Sequence, residues 1–373
     1  MPIVIQPYRQ EHEIAVQQFN QRLQAGGAEA DLVFYETAKP RWLPPSGASP
    51  LFNEFFLALD GGIVRGGYAL KHQDFSFADG STRCVGYYHH PLSEGIVNKA
   101  HATVGGLLLR DAMQRSPLLY CLGMGGYDRP LPKMLLRLGW SHSLVPFYFR
   151  VVHPALFLRE MHMLRTTAVR RFAMDLTAYS GAAWAASKAF HLFKKLRRPR
   201  AAICESEVVG EFGDWTDALW QQSKSSYAMA AVRDAETLRK LYPASDQHFT
   251  RLRIRRNGTD VGWAVIGERR KDAKYGSLRV GSILDCWAPP QDTPPVILAA
   301  TEALINAGVD LITSNQSHKD WCTAFEDAGF LRAQSNFIFA ASKKLAELLQ
   351  PFEETKSHIH FTRADGDGLP RNF

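Results

Sequence analysis

Apolar blocks recur along this chain at a spacing of 190 residues (297 minus 107). The segment LLLRDAMQRSPLLYCLGMGGYDRPLPKMLLRLGW (107–140) falls on ILAATEALINAGVDLITSNQSHKDWCTAFEDAGF (297–330) without a gap. Each copy opens on an apolar run of helix length and passes into a short apolar strand, Leu118–Leu122 in one and Gly308–Ile312 in the other. Each then crosses a polar or Gly-rich loop into a second helix. That helix stops at Gly139-Trp140 or Gly329-Phe330, where glycine suits the left-handed position after a helix end. Both copies continue into a further strand of their own half, VPFYFRVV (145–152) and SNFIFAAS (335–342).

The elements upstream also match. The first half starts with a helix over Glu11 to Leu23, its apolar set being Ile14, Phe19 and Leu23. A hairpin follows over 55–71, turning at Asp60-Gly61-Gly62, and then a strand over 81–89. The second half repeats this with a helix near 215–225, a hairpin over 249–270 turning at Asn257-Gly258, and a strand over 278–287. The shared order predicts an α/β fold built twice: a mixed, mainly antiparallel sheet with helices on both faces. The predicted boundaries are 1–155 and 204–346, joined by a helical spacer at 156–203 and followed by a tail at 347–373.

Composition narrows the class. Hydrophobic residues make up 46% and charged residues 22%, which excludes general disorder. Cys84, Cys121, Cys204, Cys286 and Cys322 form no C-x-x-C pair, so neither a disulfide framework nor a zinc ribbon is expected, and reduced thiols are. No H-E-x-x-H, P-loop or G-x-S-x-G motif occurs, and D-x-D at Asp365 and Asp367 is too little for a metal, so none is expected. The tail reads as solvated or docked. The net charge of +7 is concentrated: residues 151–200 hold ten Lys/Arg against Glu160 and Asp175, or +8, which leaves −1 for the rest. That distribution speaks against a general nucleic-acid-binding face.

The element order resembles that of the GNAT superfamily of acyl-CoA N-acyltransferases, in tandem. The segments AVRDAETLRKLYP (231–243) and HFTRADGDG (360–368) are similar to GNAT-fold acyltransferases of polysaccharide gene clusters, themselves distantly similar to Fem-type aminoacyl transferases. The resemblance implies transfer of an acyl group from acetyl-CoA or another acyl-CoA to an amine, with an amino sugar of a cell-surface polysaccharide precursor as acceptor. Two alternatives stay open: a Fem-like enzyme using aminoacyl-tRNA, and a non-catalytic pair of degenerate units.

In this family the connection from the third strand to the next helix cradles the CoA pyrophosphate. Free amides and the positive end of the helix dipole face the polyanion. In HPLSEGIVNKAHATVGGLLLRDAM (90–113), Gly105 matches the family's first glycine, while Ala102 and Leu107 depart from the pattern. The expected donor-binding residues are Thr103, Val104, Gly105, Gly106 and Leu107. The corresponding WAPPQDTPPVILAATEAL (287–304) carries Pro289, Pro290, Pro294 and Pro295, which lack donors, and Asp292, which repels phosphate. The first half is therefore the expected donor site.

Where the family often has a tyrosine to protonate the leaving thiolate, this chain has Leu135 and Phe325. The remaining candidates at the first cleft are His89, His90, Glu94 and Tyr127, histidine being able to exchange a proton near neutral pH. Asp285, Asn315, His318 and Trp321 are the substrate-binding candidates of the second. Cys286, beside Trp287, reads as packing.

Residues 184–198 form an amphipathic wheel, with Leu192, Leu196, Phe193 and Phe190 opposite Lys188, Lys194, Lys195 and Arg198. Such a helix suits an anionic membrane surface or an inter-domain packing role. MPIVIQPYRQEHEI lacks the pattern of a secretory leader, and Met174–Phe193 is broken by Asp175, Lys188 and His191. The expected location is cytoplasmic, or peripheral on the inner membrane face.

Overall fold

A computed structural model describes residues 2–47, 49–161, 204–272 and 276–366, with isolated positions between 174 and 193. It divides into two units. The first comprises residues 1–77, 81–143 and 338–352, and the second 78–80, 144–337 and 353–373.

The first unit is built on β1 (Val4–Pro7), α1 (Glu13–Ala25), β2 (Phe52–Asp60), β3 (Ile63–Phe77), β4 (Thr82–Ser93), α2 (Val104–Arg115), β5 (Leu119–Gly123), α3 (Pro130–Arg137) and β6 (Ser141–Leu144). Strand alternation gives its sheet two different faces. Phe56, Tyr68, Leu70 and Tyr88 pack on Val104, Leu108, Leu109 and Ala112 of α2. Phe55, Leu57 and Ala69, from the opposite face, pack on Val16, Phe19 and Leu23 of α1. Ile14 is 70% exposed, so the apolar stripe of α1 runs through Val16 and not through the expected Ile14.

The second unit carries β7 (Phe147–Val151), α4 (Pro154–Glu160), β8 (Glu205–Val209), α5 (Trp215–Ser223), β9 (Met229–Ala231), α6 (Ala235–Leu241), β10 (Thr250–Arg256), β11 (Thr259–Asp272), β12 (Gly276–Trp287), α7 (Thr293–Asn306), β13 (Leu311–Asn315), α8 (Lys319–Asp327) and β14 (Leu331–Ala333). The β10–β11 hairpin turns at Asn257 and Gly258, both left-handed at φ 51° and 78°, as a two-residue turn between twisted strands requires. The second apolar strand starts at Leu311, three residues after the expected Gly308, because Gly308 takes a positive φ of 79° just past α7.

The last strands are exchanged. β15 (Ile338–Ala341) lies antiparallel to β5, with Phe339 opposite Leu122, and completes the order β1-β2-β3-β4-β5-β15-β6. β7 lies antiparallel to β13, with Phe149 opposite Thr313, in the order β14-β7-β13-β12-β11-β10-β8. The expectation that 145–152 and 335–342 each complete their own half is thus corrected. Ladder hydrogen bonds are made by backbone alone, so a duplicated strand fits either sheet. The chain after β15 is not a loose tail. It forms α9 (Lys343–Glu347), α10 (Phe352–Thr355) and β16 (Ile359–His360), the last paired with β9.

Candidate functional site

The fourth and fifth strands of the first unit separate after two residue pairs. β4 and β5 are parallel partners at Gly86–Leu119 and Tyr87–Tyr120. Beyond them Tyr87 donates its hydroxyl to the Leu122 carbonyl at 2.9 Å, which satisfies an acceptor the diverging strand would otherwise leave open. Opposite, the β3–β4 register slips between Gly67 and Ala69, and His90 takes φ 51°, the mark of a bulge. The bulge bends β4 away from β5 and leads into the connection to α2.

That connection is wound tightly. The amides of Val97 and Asn98 bond to the Glu94 carbonyl, and those of His101 and Ala102 to Asn98 and Lys99. Asn98 accepts from the Ala100 amide at 3.0 Å. A Cβ on Gly95 would stand 2.6 Å from the His101 carbonyl, so glycine permits the coil. These amides are spent. Leu107, an expected donor ligand, also bonds to the Thr103 carbonyl at 3.2 Å. The cradle narrows to Thr103, Val104, Gly105 and Gly106, the first turn of α2, whose amides have no acceptor within the helix. The space before it is open: a Cβ on Gly106 would meet nothing within 4 Å, and one on Gly105 only Ser93 Oγ at 3.8 Å.

The four catalytic candidates separate by their partners. Glu94 is buried between Arg65 (3.0 Å) and Arg22 (3.3 Å). Burial would raise its pKa, but these hydrogen bonds outweigh that and lower it, so it is a tie between α1, β3 and β4 and not a base. His90 is held by Nε2 to the Val33 carbonyl at 2.7 Å and stacks on Phe34. The Tyr127 hydroxyl meets His142 Nδ1 at 2.9 Å, lining a small cleft with Met124, Trp140 and Ile338. Like His318 Nε2 in the second unit, His89 Nε2 is buried with no hydrogen-bond partner among the described residues. Burial, with His90 and Lys71 adding to it, pushes its pKa down to about 3, so the imidazole is neutral at pH 7. It stacks on Tyr87 at 4.8 Å, two residues past the last β4–β5 pair.

The equivalent region of the second unit is filled by its own chain. β12 and β13 pair over Val280–Ser282 and Leu311–Thr313, and then residues 359–366 occupy the gap. Gln316 bridges antiparallel to Thr362, and the Ser317 amide donates to the Phe361 carbonyl at 3.2 Å. Thr362 donates its hydroxyl to Asp285 at 3.1 Å. Asp285 and Asp365, both fully buried, hold the guanidinium of Arg233 at 2.8 and 2.6 Å. Burial alone would depress the Arg233 pKa, and the two carboxylates reverse this and raise it. Asn315 accepts from Arg363 and donates to the Pro146 carbonyl, each at 3.3 Å. Trp321 donates to the Tyr227 hydroxyl at 2.9 Å, and His318 caps α8 through Nδ1. The four residues expected at an open second cleft are therefore interior, because the C-terminal segment supplies the surface they pack against. Asp365, expected to be solvated or docked, is the centre of that packing, while Asp367 lies outside the described residues.

The second helix start is closed as well. Asp292 sits at it and pairs with Arg256 at 2.8 Å, and Thr293 turns its hydroxyl onto the Pro290 carbonyl. Leu135 and Phe325, at the family's tyrosine position, are both buried. Sequence reading missed Arg233, Thr362 and a row of polar residues on β2 and β3, Asn53, Lys71 and Gln73. The signal of the last three is polar residues alternating inside strands that are otherwise apolar, whereas Arg233 and Thr362 lie outside the strands. Of the basic wheel, Phe190, Lys194, Lys195, Leu196 and Arg198 lie outside the described residues, whereas Trp184, Leu192 and Phe193 are exposed. Among the described residues no helix is long and apolar enough to cross a membrane, and no cluster of His, Cys, Asp or Glu could hold a metal.

No protein-family model matches the chain, and no curated protein does. Solved structures do. Saccharomyces cerevisiae N-myristoyltransferase with bound myristoyl-CoA superposes with TM-score 0.52 at 10% identity, over 91% of this chain and 78% of that one. A probable N-acyltransferase from Enterococcus faecalis gives 0.51 at 9%, over 94% and 74%. A GCN5-related N-acetyltransferase from Anabaena variabilis gives 0.51 at 11%, over 91% and 72%. This chain has an acyltransferase-type fold, two mixed sheets resembling the tandem GNAT domains of N-myristoyltransferase.

Proposed function

We propose that this chain is an N-acyltransferase that draws its acyl group from a CoA thioester held by the first unit. The observation that carries this reading is the contrast between two equivalent places. One has diverging strands, an open glycine pair and first-turn amides, and the other is filled by prolines, Asp292 and residues 359–366. The pyrophosphate would rest on the amides of Thr103 to Gly106, with exposed Lys99 and Arg110 nearby in sequence. CoA supplies the activated acyl carbon. The acceptor nitrogen bonds to that carbon, the carbon–sulfur bond breaks, and the proton leaving nitrogen passes through water to the departing CoA thiolate. A thiolate whose parent thiol has a pKa of about 8.5 can leave without an acid, so a leucine at position 135 does not bar the chemistry. In this reading His89, neutral beside the divergence, would hydrogen-bond the acceptor amine. The acceptor in this reading is an amino sugar of a polysaccharide precursor.

Calorimetric titration with acetyl-CoA and longer acyl-CoAs tests the donor. Binding is expected, and Gly105→Asp should weaken it at least about tenfold by placing a carboxylate against phosphate. The added Cβ meets only Ser93 Oγ, so melting should be unchanged. Binding that survives in the variant, or that maps to residues 288–297, overturns the reading. Binding of tRNA with a steep salt dependence, and of no thioester, selects the aminoacyl-transferase alternative.

A further inference from the structure

The most basic stretch of the chain is also where bulky apolar side chains stand in water. Residues 184–198 hold Lys188, Lys194, Lys195, Arg197 and Arg198, and no acid. Trp184, Ala185, Lys188, Ala189, Leu192 and Phe193 are the described positions of this stretch, all helical and all exposed. At about 100° per residue they fall within one half of the helix circumference. Trp184, Leu192 and Phe193 are 60%, 57% and 49% exposed. The Lys188 ammonium lies 5.8 Å from the centre of the Trp184 ring, a cation–π contact that joins the indole to the cationic side.

The pattern of this helix allows two uses, packing against the protein or lying on a charged bilayer. Packing would bury the arc that carries Ala185, Ala189 and Leu192, and the structure leaves these three exposed. Apolar area left in water at this density marks a surface that meets a partner.

Charge selects the partner. Cations flanking an apolar arc match a surface that is anionic outside and apolar beneath, which is the make-up of an anionic lipid bilayer. An indole at the edge of the arc suits the headgroup depth, where an aromatic ring can be half wet. A nucleic acid would engage the cations and leave Leu192 in water. We propose that the segment 184–198 docks the chain on an anionic lipid bilayer. Trp184, Leu192 and Phe193 enter the boundary between headgroups and acyl chains, and the Lys/Arg side chains meet lipid phosphates. The donor reading concerns the first unit, and this proposal stands apart from it.

Co-sedimentation of the full chain with vesicles is the test, with phosphatidylcholine alone against an equimolar mixture of phosphatidylcholine and phosphatidylglycerol. Binding is expected to the mixture only and should fall steeply as salt rises. Leu192→Ser combined with Phe193→Ser should weaken it at least about tenfold, and Lys194→Gln and Lys195→Gln about fivefold each. Both substituted apolar side chains are exposed, so melting and acetyl-CoA calorimetry should match the wild type, which excludes misfolding as the cause. Failure to bind the mixture, equal binding to both vesicles, or unchanged binding of the double serine variant overturns the proposal. So does tRNA binding that the glutamine variants lose and the serine variant keeps, with vesicles left unbound. Absence of acetyl-CoA binding with vesicles still bound overturns the donor reading alone.

Discussion

Replacing Arg233 with methionine removes the one cation between two fully buried carboxylates. Arg233 is 1% exposed, with Nε 2.8 Å from Asp285 and Nη2 2.6 Å from Asp365. Tyr242 donates to Asp285 at 2.7 Å and the Thr362 amide to Asp365 at 2.8 Å, so both carboxylates remain caged after the change. Without the guanidinium at least one must take a proton. Holding a carboxyl of pKa about 3.9 neutral at pH 7 costs about 1.4 kcal/mol per pH unit, or about 4 kcal/mol. Protonating both would cost about 8 kcal/mol, against the 3–5 kcal/mol typical of a broken buried pair. The sign follows from linkage. The variant's folded-state carboxyl pKa lies above its unfolded value, so the folded form binds the extra proton, and stability falls as pH rises toward the folded pKa. Urea unfolding of both proteins at pH 7.0 and 5.5 measures this. The stability gap should shrink by about 2 kcal/mol at the lower pH for each protonated carboxyl. Titrations common to both proteins cancel in the difference. A gap of equal size at the two pH values would refute an ionised triad and leave only lost packing.

Burial pushes His89, His318 and His360 down to about 3, so each stays neutral in the fold while its unfolded counterpart protonates near 6.5. Their contribution is complete above that pH and is lost as pH falls toward 3, at about 1.4 kcal/mol per unit each. Melting followed from pH 7 to pH 5 should therefore decline steeply, and a flat profile would show that these imidazoles are wet. Gly262→Ala would set a Cβ 2.4 Å from Val296 Cγ2 and 2.7 Å from the Trp287 carbonyl. A loss of about 1–3 kcal/mol is expected in chemical denaturation, and a neutral result would mean that α7 does not press on β11 as described.

The duplicated architecture was legible because period and punctuation agree. The α2–β5–α3 and α7–β13–α8 units fall on the two copies of the sequence repeat, and Asn257-Gly258 named its own turn. The partner of each last strand was not legible. VPFYFRVV and SNFIFAAS are both alternating and apolar, and their backbones pair equally well with either sheet. Whether the segment HFTRADGDG is solvated or docked was not legible for a related reason. Its charge and glycine content suggest solvent, yet Asp365 meets its cation 132 residues away. At the candidate site, position along the chain pointed to His89, but equally to His90 and Glu94. Only the fold separates them, since Val33, Arg22 and Arg65 are remote in sequence and claim two of the three.

Duplication explains why so much of the second copy is interior. A sheet whose parallel strands diverge exposes backbone groups and a concave surface, and both must be satisfied by something. In the second unit residues 359–366 do so with a backbone bridge, Phe361 and the buried Asp365, which meets Arg233. Prolines and Asp292 complete the closure at the helix start. The first unit has the same divergence but keeps its α2 amides, its glycine pair and a row of polar residues around Gln73 on one face of its sheet. Apolar side chains on that face of the sheet would have been the more stable solution, since five buried polar atoms on it, in Trp42, Asn53, Gln73 and His89, have no partner among the described residues. The second unit also buries polar atoms with no partner among the described residues, Trp263 Nε1 and His318 Nε2, so what sets the copies apart is the filled divergence and the closed helix start of the second.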